Sequence, residues 1–225
     1  MCGRYNLITD AEALVDFFDI TRSGLDASWS EPHYNLAPGQ PVPVVRAGPV
    51  GRELVPARWG LVPHWSKESR PKYSTINARA ETVAEKPAYR EAFRRKRCLI
   101  PATGFYEWKH TGEGKNPYHI RLAGGGLFAF AGLWDHWPKG DEGFDSCSII
   151  VTDANAAMRP VHERMPVILN PALYNAWLNP AHGNRAQLQS MLVPWTGALE
   201  IYPVSQRVNS PKHNDAGCIR PVEAS

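Results

Sequence analysis

The sequence predicts an α+β fold, a single domain on an antiparallel, closed or half-closed β-barrel-like sheet with helices at its flanks. Three observations lead there: many short strand-like runs bounded by turn residues, few helical segments, and no regular βαβ alternation. The chain has 225 residues, enough for one core that needs no disulfide or metal staple. No internal repeat or low-complexity linker divides it. The domain is therefore expected to span 1–225, with a polar, loose tail after about Ser205.

The first helix follows the N-terminus closely. Thr9 and Glu12 have capping-box spacing, and Ala11, Leu14, Val15 and Phe18 form one apolar stripe. Asn35 to Gly39 is a turn-forming stretch, after which Val42–Arg46 and Glu53–Trp59 read as a hairpin. Leu61 to Lys72, rich in Pro, Trp and charge, reads as a loop. Pro87 opens a second helix through Arg90, Arg94 and Arg95, with Tyr89 and Phe93 on its inner side and a basic outer face. Strand-like runs follow at Cys98–Ile100, Gly104–Lys109, Tyr118–Leu122, Leu127–Trp134, Cys147–Thr152 and Val161–Leu169, with a tight turn at Gly112 to Gly114. Asn170-Pro171 caps a helix ending near Leu178, Asn184 to Leu192 is another, and Leu199–Val204 is a late strand.

Cys2, Cys98, Cys147 and Cys218 stand far apart, without C-x-x-C or zinc-type spacing, and read as reduced thiols. With no apolar leader and no run of about eighteen apolar residues, a soluble, cytosolic protein is expected, with no membrane association. No metal or organic cofactor is expected either. The formal net charge is +3, yet residues 86–121 hold nine Lys or Arg against three Glu, or +6, leaving −3 for the rest. Such asymmetry suits a polyanion better than a uniformly solvated surface. Trp65 and Trp108 sit beside polar and basic neighbours, where a nucleic-acid base could stack.

Cys2 is the most informative residue. Removal of Met1 would leave an amine and a thiol two carbons apart, able to attack one aldehyde carbon in turn: the amine gives a Schiff base and the sulfur closes a five-membered thiazolidine. Three other segments carry polar residues in unfavourable settings. Asn77 and Arg79 lie two apart, Glu107 interrupts an apolar strand, and His162 begins a strand-like run. Taken singly, each has a structural reading: a turn cap, a solvent-facing carboxylate, a hydrogen-bonded core histidine.

Together the blocks MCGR, YNLAPG, RWGLVPHW, INARAET, GFYEW and VHERMP, in order from residue 2 to residue 166, resemble the SOS-response-associated peptidase family of abasic-site-processing proteins. The resemblance implies binding of single-stranded DNA at abasic sites, or at junctions beside them, and capture of the open deoxyribose aldehyde as a thiazolidine. Carried over by motif, Cys2 is the covalent residue, Asn77 and Glu107 position groups and move protons, and His162 assists ring opening and reversal. Arg4, Arg79 and Arg164 would grip phosphates, with Lys86 and Arg90 as further candidates. Pro38 and Trp65 would wedge against bases, and Asn35 and Trp108 would complete the DNA-binding set. The family name also implies a peptidase activity, here self-processing that removes Met1, and lyase chemistry is compatible.

Elementary acid–base chemistry fits these roles. At neutral pH roughly a tenth of a terminal amine is neutral and a few per cent of a thiol is thiolate, so a proton acceptor helps both. Desolvation by Phe105 and Trp108 should raise Glu107 toward the working pH. Two other classes compete: an N-terminal-nucleophile amidohydrolase, for which no glycine-rich oxyanion loop is visible, and a non-covalent nucleic-acid-binding module.

Overall fold

Strands dominate, as the short apolar runs require. The computed structural model describes residues 2–112, 114–139 and 143–223. In chain order the elements are β1 (Tyr5–Leu7), α1 (Ala11–Phe18), β2 (Ile20–Ser23), β3 (His33–Leu36), β4 (Pro41–Ala47), β5 (Arg52–Trp59), β6 (Asn77–Arg79), α2 (Arg90–Arg95), β7 (Arg97–Ala102), β8 (Gly104–Thr111), β9 (Gly114–Leu122), β10 (Phe128–Trp137), β11 (Phe144–Asp153), β12 (Arg164–Pro166), α3 (Tyr174–Leu178), α4 (Arg185–Ser190) and β13 (Leu199–Pro203). No helix among the described residues is long and apolar enough to cross a membrane.

The predicted hairpin forms as β4 and β5, and antiparallel ladders then run from β4 to β7, β10 and β11. A parallel pairing, Ser146 with Arg58 and Cys147 with Trp59, joins β11 back to β5 and closes a five-stranded barrel. Its interior is filled by side chains, as such a small barrel must be. At Gly132 a Cβ would lie 2.8 Å from Cys98 Sγ and 2.9 Å from Ile100 Cδ1, so only glycine fits there. β12 and β6 extend β11 on its two sides.

A second, antiparallel sheet runs β13-β9-β8-β1-β3. Because side chains alternate along a strand, Tyr5, Phe105 and Glu107 share its inner face and Asn6, Tyr106 and His119 its outer one. The inner face packs on the barrel: the Tyr5 ring stands edge-on to Trp59 at 5.3 Å and to Phe130 at 5.8 Å, and Phe105 meets Phe130 at 5.9 Å.

Four local expectations are corrected. The cap of α1 is Asp10, whose Oδ1 accepts the Ala13 N–H at 2.8 Å; Thr9 lies too early, because the Ile8 N–H still bonds Thr103 Oγ1. Pro87 belongs to a turn, and α2 begins only at Arg90. The Val161–Leu169 run shortens to a three-residue β12, since the Arg164 N–H donates to His162 Nδ1 at 2.9 Å and turns the backbone out of the ladder.

The fourth correction is the tail. Val208 and Cys218 are wholly buried against Tyr106 and Val204, covering the outer face of the second sheet. Asn35 fastens this segment: its Nδ2 donates to the carbonyls of Ser210 at 3.0 Å and His213 at 2.8 Å, and its Oδ1 accepts from Arg4 Nη1 at 2.9 Å. Asn35→Ala should therefore cost about 2–3 kcal/mol, two or three buried hydrogen bonds' worth. Urea unfolding would register this as a lower midpoint at unchanged slope.

Candidate functional site

Glu107 lies mid-strand in β8 and is 2 % exposed. Burial drives its carboxyl up to about 7, against the opposing hydrogen bond from the Trp108 backbone. Cys2, immediately before β1, is likewise wholly buried and belongs to the main core cluster. Burial pushes its thiol well above the ordinary cysteine range, and the negative charge of Glu107 pushes it further. That influence places thiol and carboxylate in one electrostatic neighbourhood. Sγ itself lies 4.0 Å from the Arg4 carbonyl oxygen.

The half-buried His162 sits in the turn before β12. Burial lowers its imidazole below the usual value, while the Arg164 backbone and the Glu163 charge act the other way. The lowered value favours the neutral ring, which carries one donor and one acceptor nitrogen. Glu107, Trp108 and His162 line one cavity of ≈ 400 Å³ together with His110, Lys115 and Asn209. Trp108 is fixed there by its Nε1–H, which donates to Asn209 Oδ1 at 2.8 Å.

Asn77 opens onto a different cleft, of ≈ 550 Å³, whose walls include Tyr73, Arg79, Lys86 and Tyr89. Its backbone carbonyl accepts the Tyr89 hydroxyl at 3.0 Å, yet Nδ2 and Oδ1 of its side chain are buried without a partner among the described residues. An unsatisfied buried amide is destabilising, and such groups concentrate where a ligand supplies the missing bonds. Strand β11 links the two regions, pairing with Asn77 at Ile149 on one side and with Arg164 at Asp153 on the other.

Three of the predicted DNA contacts are engaged within the protein. Arg4 Nη1 donates to the Val208 carbonyl at 2.6 Å as well as to Asn35. Asn35 is 3 % exposed and ties down the tail. Arg164 is 19 % exposed and bridges Asp153 at 2.6 Å and Glu81 at 2.8 Å. By contrast, Pro38, Trp65, Arg79, Lys86 and Arg90 are exposed. None of the ion pairs among the described residues engages those three cations, and neither cavity is lined by Pro38 or Trp65.

Sequence reasoning missed His110, Lys115 and Asn209. The first two were accessible in principle, since a turn at Gly112 to Gly114 makes 110 and 115 cross-strand partners, as the register has them. Nothing in the sequence signals Asn209, which arrives with the tail. No group of three or more His, Cys, Asp or Glu among the described residues is placed to hold a metal.

Against this geometry, the family model for SOS response associated peptidase (SRAP) matches residues 1–211. The chain belongs to the SRAP family. Among its relatives, Abasic site processing protein YoaM of Bacillus subtilis (strain 168) is 42 % identical over 220 residues, covering 96 % of each chain. Abasic site processing protein HMCES of Gallus gallus is 32 % identical over 225 residues, covering 85 % of this chain and 67 % of that protein. A crystal structure of a protein from Bacteroides thetaiotaomicron superposes with a TM-score of 0.88 at 29 % identity, covering 99 % of this chain and 100 % of the other. The two-sheet architecture is thus shared with that structure over 99 % of the chain.

Proposed function

We propose that the protein processes abasic sites in DNA, by covalent capture of the lesion in single strands through Cys2 once Met1 has been removed. The observation that carries this reading is the buried Glu107 carboxyl, near enough for its charge to act on the Cys2 thiol and lining one cavity with His162. The names of the SRAP relatives point to the same lesion.

In the proposed sequence the furanose opens as the neutral His162 ring relays a proton from the C1′ hydroxyl to O4′, breaking the C1′–O4′ bond and exposing the C1′ aldehyde. The Cys2 amine adds to C1′, and Glu107 takes the amine proton and returns it to the hydroxyl of the carbinolamine, which leaves as water. Sγ then adds to C1′ of the Schiff base, its proton passing to the nitrogen, and the five-membered ring closes. The amine leads because burial holds the thiol protonated. Asn77 contributes hydrogen bonds alone, to a group entering beside β6. Self-removal of Met1 would draw on the same Cys2, Glu107 and His162.

The test is a denaturing gel of protein mixed with a single strand bearing an abasic site. A band that survives boiling, lost when the aldehyde is first reduced with borohydride, supports capture; its absence from protein whose mass shows Met1 removed overturns it.

Affinity should be electrostatic and insensitive to sequence, since an abasic site offers no base edge to read. Arg79, Lys86 and Arg90 supply phosphate contacts, while Pro38 and Trp65 press on bases where lost stacking makes kinking cheap. Replacing the three cations by Ala should lower the slope of log K against log salt by about 2, at roughly 0.7 per single-strand contact. Fluorescence anisotropy at several salt concentrations measures it.

A further inference from the structure

The outer face of the second sheet, turned away from Glu107, holds another cavity of ≈ 480 Å³ lined by Asn6, Thr9, Thr103, His119 and Leu127 among others. Asn6 is 0 % and His119 2 % exposed, and they meet at 3.0 Å between Nδ2 and Nε2. The rings of Tyr106 and Tyr202, 5.1 and 5.2 Å away, hold the imidazole in place. Gly104 makes the pair possible: a Cβ there would stand 2.4 Å from His119 Nε2 and 2.7 Å from Asn6 Oδ1.

The pair is incomplete. Asn6 Oδ1 and His119 Nδ1 are buried with no partner among the described residues. With the Asn6 amide donating to Nε2, the leftovers are an Nδ1–H donor and an Oδ1 acceptor. With the amide turned over, they are an Nδ1 acceptor and an Nδ2 donor. Either way at least one donor and one acceptor remain. Two apolar side chains of similar shape would be more stable than two half-satisfied polar ones, so a purely structural role does not explain them.

The cavity also carries little net charge. Burial, aided by the nearby Arg121 charge, pushes His119 down to about 3, so its ring is neutral. Arg121 is itself paired with Glu200 at 2.7 Å.

We propose that this cavity binds a neutral planar amide or lactam, of the class of a free pyrimidine base or its nucleoside, through the donor and acceptor left over on Asn6 and His119. Ile8, Leu127 and Ile219 supply apolar walls for such a ring. The site lies on the opposite face of the sheet from Glu107 and does not depend on the capture chemistry.

The test is titration of the full chain with uracil and with uridine, followed by calorimetry and amide NMR. Saturable binding is expected, with shifts at the Gly125 and Gly126 amides. The Kd should rise at least about tenfold in the Asn6→Leu/His119→Phe protein, whose ligand-free Tm should equal or exceed the parent's. Thr9→Trp, which fills the cavity and leaves the pair intact, should weaken binding to the same extent. Orotate, uracil bearing a carboxylate, should bind at least about tenfold more weakly than uracil. Absence of saturable binding at about 10 mM uracil and uridine, unchanged affinity in both variants, or orotate matching uracil would each overturn the proposal. Covalent capture should proceed at the parent rate in both variants, so the two readings fail separately; joint loss of capture and base binding would return the cavity to the capture site and overturn its independence.

Discussion

Cys2→Ala protein, its initiator methionine removed, should give no boiling-resistant adduct with abasic single strands, a loss of at least about a thousandfold in adduct yield. The reason is ring closure. The alanine amine can still add to the C1′ aldehyde, but the Schiff base then hydrolyses, because no second nucleophile is held two carbons away. In the parent, sulfur and nitrogen share one carbon skeleton, and effective molarities of about 10⁵ M or more for well-oriented intramolecular attack favour the ring strongly. The two states are separable. Borohydride added after mixing should trap the imine of the variant as a stable amine, whereas the parent adduct should form without it. Lys115, in the same cavity as Glu107, offers a second amine, but an imine on it is equally hydrolysable. A heat-stable adduct from Cys2→Ala without reductant would refute capture through a thiazolidine.

What the sequence disclosed, and what it withheld, follows from the range of the interactions involved. The long strands β4, β5 and β8 to β11 were legible because each is an apolar run bounded by turn chemistry. The three-residue strands β1 and β6 were not, being too short to display a period of two; they exist because distant partners such as Phe105 for Tyr5 and Ile149 for Asn77 hold them. Barrel closure through β11 and β5 pairs residues nearly ninety apart in sequence, beyond any local signal. The tail misled for a related reason: its polar composition suggested solvation, yet two isolated apolar residues, Val208 and Cys218, and the hydrogen bonds of the distant Asn35 and Arg4 dock it.

The site divides along the same line. Cys2 stood out by its terminal position, Glu107 and His162 as polar residues in unfavourable settings, and only the ordered motif blocks joined the three. Charge alone was a poor guide to surface arginines. Arg164 reads as a cation available to phosphate until its partners Glu81 and Asp153 are known, and one of these lies 83 residues away. Arg79 and Lys86 carry the same formal charge, and it is their exposure beside the Asn77 cleft that sets them apart.

Glu107→Gln should separate function from stability, moving the two in opposite directions. With its pKa at about 7, the carboxylate fraction rises through neutrality, so the parent's capture rate should climb between about pH 6 and 8 as Glu107 and then the terminal amine lose protons. The glutamine cannot accept a proton; its rate should fall by about 10²–10³, and the limb of the profile belonging to Glu107 should vanish. DNA affinity should hold, since no phosphate contact is touched. The sign for stability follows from linkage. The folded-state pKa lies above the unfolded value of about 4.3, so the folded protein binds more protons between these values. The stability this group contributes is therefore fully present below about pH 4.3 and lost as pH rises through 7. At pH 8 glutamine avoids a desolvated charge worth about 3–4 kcal/mol, so the variant should unfold at higher urea there than the parent, the difference shrinking toward pH 5. A variant that captured abasic strands at the parental rate, with the same pH profile, would remove Glu107 from the proton transfers. One that lost rate and stability together at pH 8 would mark the carboxylate as structural. A slower yet sturdier protein is the outcome expected of a carboxylate kept buried at a cost because the reaction at Cys2 requires it.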